Sequence, residues 1–409
     1  MMAAQGLSRS IAVFVGTTHE RKWMFSAERL MELRGEANRR AAQAVREASS
    51  AQGAAAIRQS PGKRAKMEGS GAGAGGGTTG VDRVPECLSV GEEKVLQDHF
   101  LGKLHHLSSN TLKLPLSVET CALAYFQRFY LRNSVMDYHP SDLMYTVLWV
   151  ACKVEHYPAR FLRPEKVRVG DSSKDFSFDA KAFAMLAATQ DAPMATDDLI
   201  RLEQVLLQSL DYNFMVFHPY RALRGLVESW AVCAGEEVLS SDSLLTRGEA
   251  KLCEWLQTDL ALMYHPAELA LTAIKSSVKA IDKETALAKA DATGKELKEA
   301  LDSFLSTTFR TELEDLMRVA KVMKAIDSTV SSLSKQQLKG QELEAEVTRI
   351  LVKLGECSNP DTERSHPWHE QMQSAKRLER DLVKQEKIRK QADEQRQRQS
   401  ELLGIKTEH

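Results

Sequence analysis

A chain of 409 residues, 43% hydrophobic and 27% charged, has material for two or three domains and a sizeable core. Its 55 basic and 56 acidic residues leave a net charge of −1, which argues against a dedicated nucleic-acid binder. No apolar run is long enough to read as a membrane span, the N-terminus lacks the series of a secretory signal, and the 6 cysteines, scattered without a C-x-x-C pair, read as reduced thiols of the cytosol or nucleus.

Strand signals are sparse, so the pattern predicts an all-α protein. Apart from the short apolar run Ile11–Val15, residues 1–25 show no period. Ser26 is an acceptable N-cap for a helix over 27–47, whose narrow apolar stripe (Ala27, Leu30, Leu33) must dock to be stable. Residues 48–83 are rich in Ala, Gly and Ser and read as a flexible linker. Its G-x-G-x-x-G match at Gly71, Gly73 and Gly76 follows no strand and reads as low complexity.

Helices are then expected at 89–108, 115–133, 140–156, 196–211, 219–234, 242–263, 266–281, 294–307 and 309–329. A Pro-containing stretch at 158–195 interrupts them, with a short helix at 179–188. The tail from about 337 reads as charged helix, broken near 355–368. His139-Pro140, His218-Pro219 and His265-Pro266 each open a helix, because proline at the first helical position forfeits no hydrogen bond. Two of these extend to Tyr-His-Pro-x-x-Leu (Tyr138–Leu143 and Tyr264–Leu269), a weak internal repeat.

Leu143–Val154 is apolar on every side, so other helices surround it. Its one charge is Lys153. Glu203 lies within the apolar stripe Leu199, Leu202, Leu206, Leu207, Leu210 of another helix. The two are expected to meet at the end of the bundle, either as a structural salt bridge or as a polar hot spot that reaches a partner's backbone.

Tyr125-Phe-Gln-Arg-Phe-Tyr-Leu-Arg-Asn-Ser-Val-Met-Asp-Tyr-His-Pro140 followed by Ala151-Cys-Lys-Val-Glu155 resembles the cyclin box. The segments Arg21–Ser26, Leu33–Arg39, His218–Arg221 and Tyr264–Ile274 narrow the resemblance to cyclins of the H type, over about residues 19–330. The resemblance implies two tandem five-helix repeats flanked by N- and C-terminal helices. It divides the chain into an N-terminal segment and helix (1–47), the linker (48–83), the first cyclin box (84–213), a second cyclin-like repeat (214–330) and a charged helical tail (331–409).

The same resemblance implies a regulatory subunit with no catalytic residues and no cofactor. Lys153 and Glu203 would bind the regulatory helix of a cyclin-dependent kinase, and Trp23 and Phe25 would make the N-terminal helix's contacts. The implied partners are the kinase of the CDK-activating complex, its assembly factor and TFIIH, acting in the nucleus on CDK activation loops and on the repeat tail of RNA polymerase II. Membrane and direct nucleic-acid partners are not expected. The alternatives are another transcriptional cyclin of the C, K or T type, or a nucleic-acid-binding factor like TFIIB, which would need a zinc ribbon and a basic groove. The chain departs from the pattern in the length of its linker, in 158–195, in its tail, and in having no M-R-A-I-L stretch for substrate recruitment.

Ser60-Pro61-Gly62-Lys63 has the form of a proline-directed phosphorylation site, and Lys63-Arg-Ala-Lys66 of a weak nuclear import patch or a solvated charge run. The basic excess of Lys376–Arg398 reads as an exposed helix that can meet a third subunit. His99, His105, His106 and His366-Pro-Trp-His369 lack metal spacing with Cys or carboxylates, so no metal is expected. Asp197-Asp198 lacks the further aspartate of a helical magnesium enzyme, since Arg201 stands there.

Overall fold

The computed structural model describes residues 14, 16–58, 86–157, 183, 196–234, 241–287, 293–308, 313–336 and 340–357. Among these residues there are helices, turns and loops and no strand, so the protein is all-α. The chain divides into two compact units, Met1–Ala44 with Arg83–Ser358, and Val45–Asp82 with Asn359–His409. The described helices belong to the first unit, apart from one that continues into the second.

Helix α1 (Thr18–Trp23) is capped by Thr17, whose side chain accepts the Glu20 backbone N–H at 3.3 Å. Helix α2 (Ala27–Arg58) continues past the expected end at 47 into the stretch read as linker. Alanine, the best helix former, supplies Ala48, Ala51 and Ala54–Ala56 and carries it onward. The remainder of the linker, 59–83, with Ser60 and the 63–66 patch, lies outside the described residues.

The first repeat starts at α3 (Val90–His105) with a capping box, in which Ser89 and Glu92 satisfy each other's backbone N–H. A π-helical turn (His106–Thr111) follows, then α4 (Leu116–Phe129), α5 (Pro140–Val154) and α6 (Thr196–Ser209). Every residue from Leu143 to Cys152 is buried, so α5 is wrapped by α3, α4 and α6 as its composition requires. Of 158–195 only Phe183 is described beyond Tyr157; it is helical, buried, and packs its ring edge-on to Trp149 at 5.6 Å.

The second repeat comprises α7 (Pro219–Ala234), α8 (Ser241–Leu256), α9 (Leu260–Met263), α10 (Pro266–Leu287), α11 (Thr293–Thr308) and α12 (Leu313–Gln336). Helix α10 is its centre, packed by α7, α8, α11 and α12 around Leu223, Trp230, Leu252, Trp255, Ile274 and Phe304. The two Tyr-His-Pro segments thus open the central helix of each repeat. In both the histidine caps the start: His139 Nδ1 accepts from Ser141 N at 3.2 Å and His265 Nδ1 from Ala267 N at 3.0 Å.

The helix expected at 242–263 is two helices. Thr258 Oγ1 bonds the Trp255 carbonyl at 2.6 Å and accepts the Leu260 N–H at 3.3 Å, so a side chain takes over the backbone's partners and breaks the helix. Helix α2 docks beside this break, where Leu30, Leu131 and Leu262 form a small core with Phe25 and Met263.

In the tail, α13 (Gln341–Cys357) lays Val347, Ile350 and Leu354 against α3. Arg349 reaches Glu92 at 2.9 Å and Lys353 reaches Glu86 at 2.8 Å and Glu92 at 3.1 Å. The basic stretch 376–398 lies outside the described residues.

Candidate partner-binding site

Lys153 stands in the last turn of α5 and Glu203 in the middle of α6. Burial of Leu199, Leu202 and Leu206 turns α6 so that Glu203 faces α5. The Lys153 ammonium forms an ion pair with Glu203 Oε1. Trp149, one turn earlier on α5, donates its indole N–H to Glu203 Oε2 at 2.7 Å. The ammonium also lies over the Trp149 ring, 4.8 Å from its centroid, a cation–π position.

The expected meeting of Lys153 and Glu203 is therefore observed. Trp149 is the member that sequence reasoning missed: its spacing of four from Lys153 on one helix face was the available signal. The ammonium has three donors and the carboxylate about four lone-pair sites, so these two hydrogen bonds leave both groups with capacity for more. The Lys153 side chain is 32% exposed and that of Glu203 12%, so the pair sits at the edge of the bundle. Ile200, one turn before Glu203 on α6, is exposed beside it.

Trp23 and Phe25 fix the N-terminal segment to the two repeats. Trp23 is buried, with the guanidinium groups of Arg128 and Arg132 at 5.1 and 5.0 Å from its ring centroid. The Phe25 N–H donates to the Leu262 carbonyl at 2.8 Å. Phe14, from the apolar run at 11–15, is buried against His19, Phe217 and His265. Burial, with the charge of Arg128 adding to it, lowers the His19 imidazole's pKa to about 3, so His19 is neutral and its Nδ1 accepts the Phe217 N–H at 3.1 Å.

No family model matches the chain. It is 28% identical over 268 residues to Cyclin-H1-1 of Arabidopsis thaliana, covering 65% of this chain and 70% of the relative. It is 28% identical over 205 residues to Cyclin-C of Drosophila pseudoobscura pseudoobscura, covering 50% of this chain and 71% of the relative. The chain resembles the cyclins, and among them the H type. Its fold is shared with a chain in the structure of the CAK complex of Chaetomium thermophilum bound to ATP-gamma-S, at a TM-score of 0.59 and 18% identity over 86% of this chain and 91% of the other. The cyclin-like segments quoted from the sequence fall on α1, α2, α4, α5, α7 and α10, the helices that build the two repeats and the N-terminal dock.

Proposed function

We propose that this protein is a regulatory cyclin without chemistry of its own, which binds a cyclin-dependent kinase of the CDK-activating complex and activates it allosterically. The observation that carries this reading is the Lys153–Glu203–Trp149 cluster. It is a charged, partly dehydrated group at the edge of an otherwise apolar bundle, with hydrogen-bonding capacity left over. Lys153 donates to backbone carbonyls of the kinase's regulatory helix and Glu203 accepts from its N–H groups. Holding that helix inward lets the kinase's own Lys–Glu ion pair form and helps order its activation loop. The resemblance to H-type cyclins supports the choice of kinase, an assembly factor as third subunit, a place in TFIIH and a nuclear location. The resulting complex phosphorylates CDK activation loops and the RNA polymerase II repeat tail.

The likeness to Cyclin-C favours a second reading, a transcriptional cyclin serving a different kinase. Co-purification with each candidate kinase separates the two, using wild type, Lys153→Ala and Glu203→Ala, with a polymerase-tail heptad peptide as substrate. Removing either desolvated polar group should weaken binding by about 2–5 kcal/mol. Folded variants that bind and activate as well as wild type would remove Lys153 and Glu203 from the interface. Wild type that binds only the C-type kinase would establish the second reading.

A further inference from the structure

The fold assembles a group of metal-ligating side chains that no local spacing announces. His105 is the last residue of α3, Glu119 lies in the first turn of α4, and Cys253 lies on α8 of the second repeat. His105 Nδ1 and Glu119 Oε1 are 2.5 Å apart, and Cys253 Sγ lies 3.5 Å from His105 Nδ1. The candidate ligand atoms of all three residues are within 4.8 Å of one another.

Two observations distinguish this group from an ordinary hydrogen-bonded cluster. Glu119 is only 2% exposed, and its Oε2 is buried with no hydrogen-bond partner. A buried carboxylate oxygen left unpaired is costly unless something positive completes it. The donor set is also selective: thiolate, imidazole and carboxylate together suit zinc, whereas calcium and magnesium take oxygen alone. The side chain of His105 is 24% exposed, which gives an ion a way in and a water a fourth position.

We propose that His105, Glu119 and Cys253 form a zinc site that pins the first repeat to the second. Binding replaces the His105–Glu119 hydrogen bond with two metal bonds, and the proton of that hydrogen bond moves to the other ring nitrogen, Nε2, or to solvent. It also converts the Cys253 thiol to a zinc-bound thiolate, its proton leaving to solvent. Three protein ligands and one water complete a tetrahedral shell. Because its ligands come from both repeats, the metal acts as a cross-link between them.

A second group, Cys121 with Glu155 and His218, is the natural control, because it also joins the repeats. The full-length protein, stripped with chelator, is titrated with Co2+ alone as a spectroscopic stand-in for Zn2+. The proposal expects one equivalent bound, with a sulfur-to-cobalt charge-transfer band and the visible bands of tetrahedral cobalt. Both should vanish in Cys253→Ser and weaken at least tenfold in His105→Gln, a partly exposed position chosen in case the first variant folds poorly. Cys121→Ser should keep them. Zn2+ should displace the cobalt and raise the thermal midpoint of wild type but not of His105→Gln. The proposal is overturned by no charge-transfer band, by a band that survives in Cys253→Ser or weakens less than tenfold in His105→Gln, or by one that is lost only in Cys121→Ser.

Discussion

Arg34 of the N-terminal helix grips Asp259 with both arms of its guanidinium, Nη1 to Oδ2 at 2.8 Å and Nη2 to Oδ1 at 2.7 Å. Asp259 lies in the break between α8 and α9, so this fork ties the N-terminal helix to the second repeat. Lys94 of the first repeat adds a third contact at 3.2 Å. One carboxylate therefore joins three parts of the fold.

Removing one arm of that junction leaves a half-buried charge behind. Arg34→Ala should destabilise the protein by about 3 kcal/mol, the low end for a broken buried pair because Lys94 remains. Burial alone would raise the Asp259 carboxyl; the hydrogen bonds and charge of Arg34, with Lys94, outweigh it and hold the carboxyl well below the usual range. The folded pKa is depressed, so this stabilisation is present above about pH 4, the unfolded value, and is lost as pH falls towards the folded one. Urea unfolding of wild type and Arg34→Ala at pH 7 and pH 3 tests both claims: the difference between the two proteins should shrink at pH 3. An equal difference at both values would assign the effect to packing alone.

Glu93 has the opposite sign. It is buried on α3, accepts hydrogen bonds from Ser134 and from Asn38 at 3.1 Å, and burial pushes its carboxyl up to about 7, with the Asp137 charge adding to the shift. The raised pKa means that its contribution is full below the unfolded value, about 4.3, and is lost as pH rises to about 7. Glu93→Gln keeps the shape and removes the charge. It should gain on the order of 3 kcal/mol relative to wild type at pH 8 and nothing at pH 4. Unfolding midpoints that run parallel for the two proteins over this range would show that Glu93 ionises freely in the fold.

Arg128 is a buried cation without a hydrogen-bond partner for Nε, Nη1 or Nη2, supported by the face of Trp23 at 5.1 Å. Burial lowers its pKa only to about 10, so it remains charged at neutral pH. Replacing a poorly paired buried charge with an apolar side chain of similar length is often neutral or stabilising. Arg128→Met should therefore leave stability unchanged or raise it by about 1–4 kcal/mol, whereas Trp23→Ala should cost about 3–5 kcal/mol. A large loss in Arg128→Met, measured by urea unfolding, would mean that the guanidinium is hydrogen-bonded in solution.

Local pattern made the helices legible, and the two Tyr-His-Pro starts marked the central helix of each repeat. It also placed Lys153 and Glu203, because a charge inside an apolar stripe is a local anomaly. What escaped was set by other rules. The break at Thr258 turns on one hydroxyl competing with the backbone, which no periodicity registers. The extension of the N-terminal helix to Arg58 runs through residues whose Gly and Ser content resembled a linker but whose alanines favour helix. His105, Glu119 and Cys253 meet only through packing of the two repeats, so spacing along the chain could not join them.

Two glycines in α7 and α8 give a test in which propensity and packing disagree. On propensity, any Gly→Ala change inside a helix stabilises by about 0.5–1 kcal/mol. At Gly225 a Cβ would meet nothing within 4 Å, so Gly225→Ala should show that gain. At Gly248 a Cβ would lie 2.8 Å from Leu223 Cδ1 and 3.0 Å from Cδ2, and Leu223 is 0% exposed and hemmed in by the core of the second repeat. Overpacking of that kind costs about 1–3 kcal/mol, more than the propensity gain. Gly248→Ala should therefore destabilise by about 1 kcal/mol or more. The double variant Gly248→Ala with Leu223→Ala should be more stable than the sum of the two single effects implies, by about 0.5–3 kcal/mol, because the second change removes the atoms in the way. Strict additivity in urea unfolding would sink the packing explanation and leave backbone effects at Gly248 as the cause.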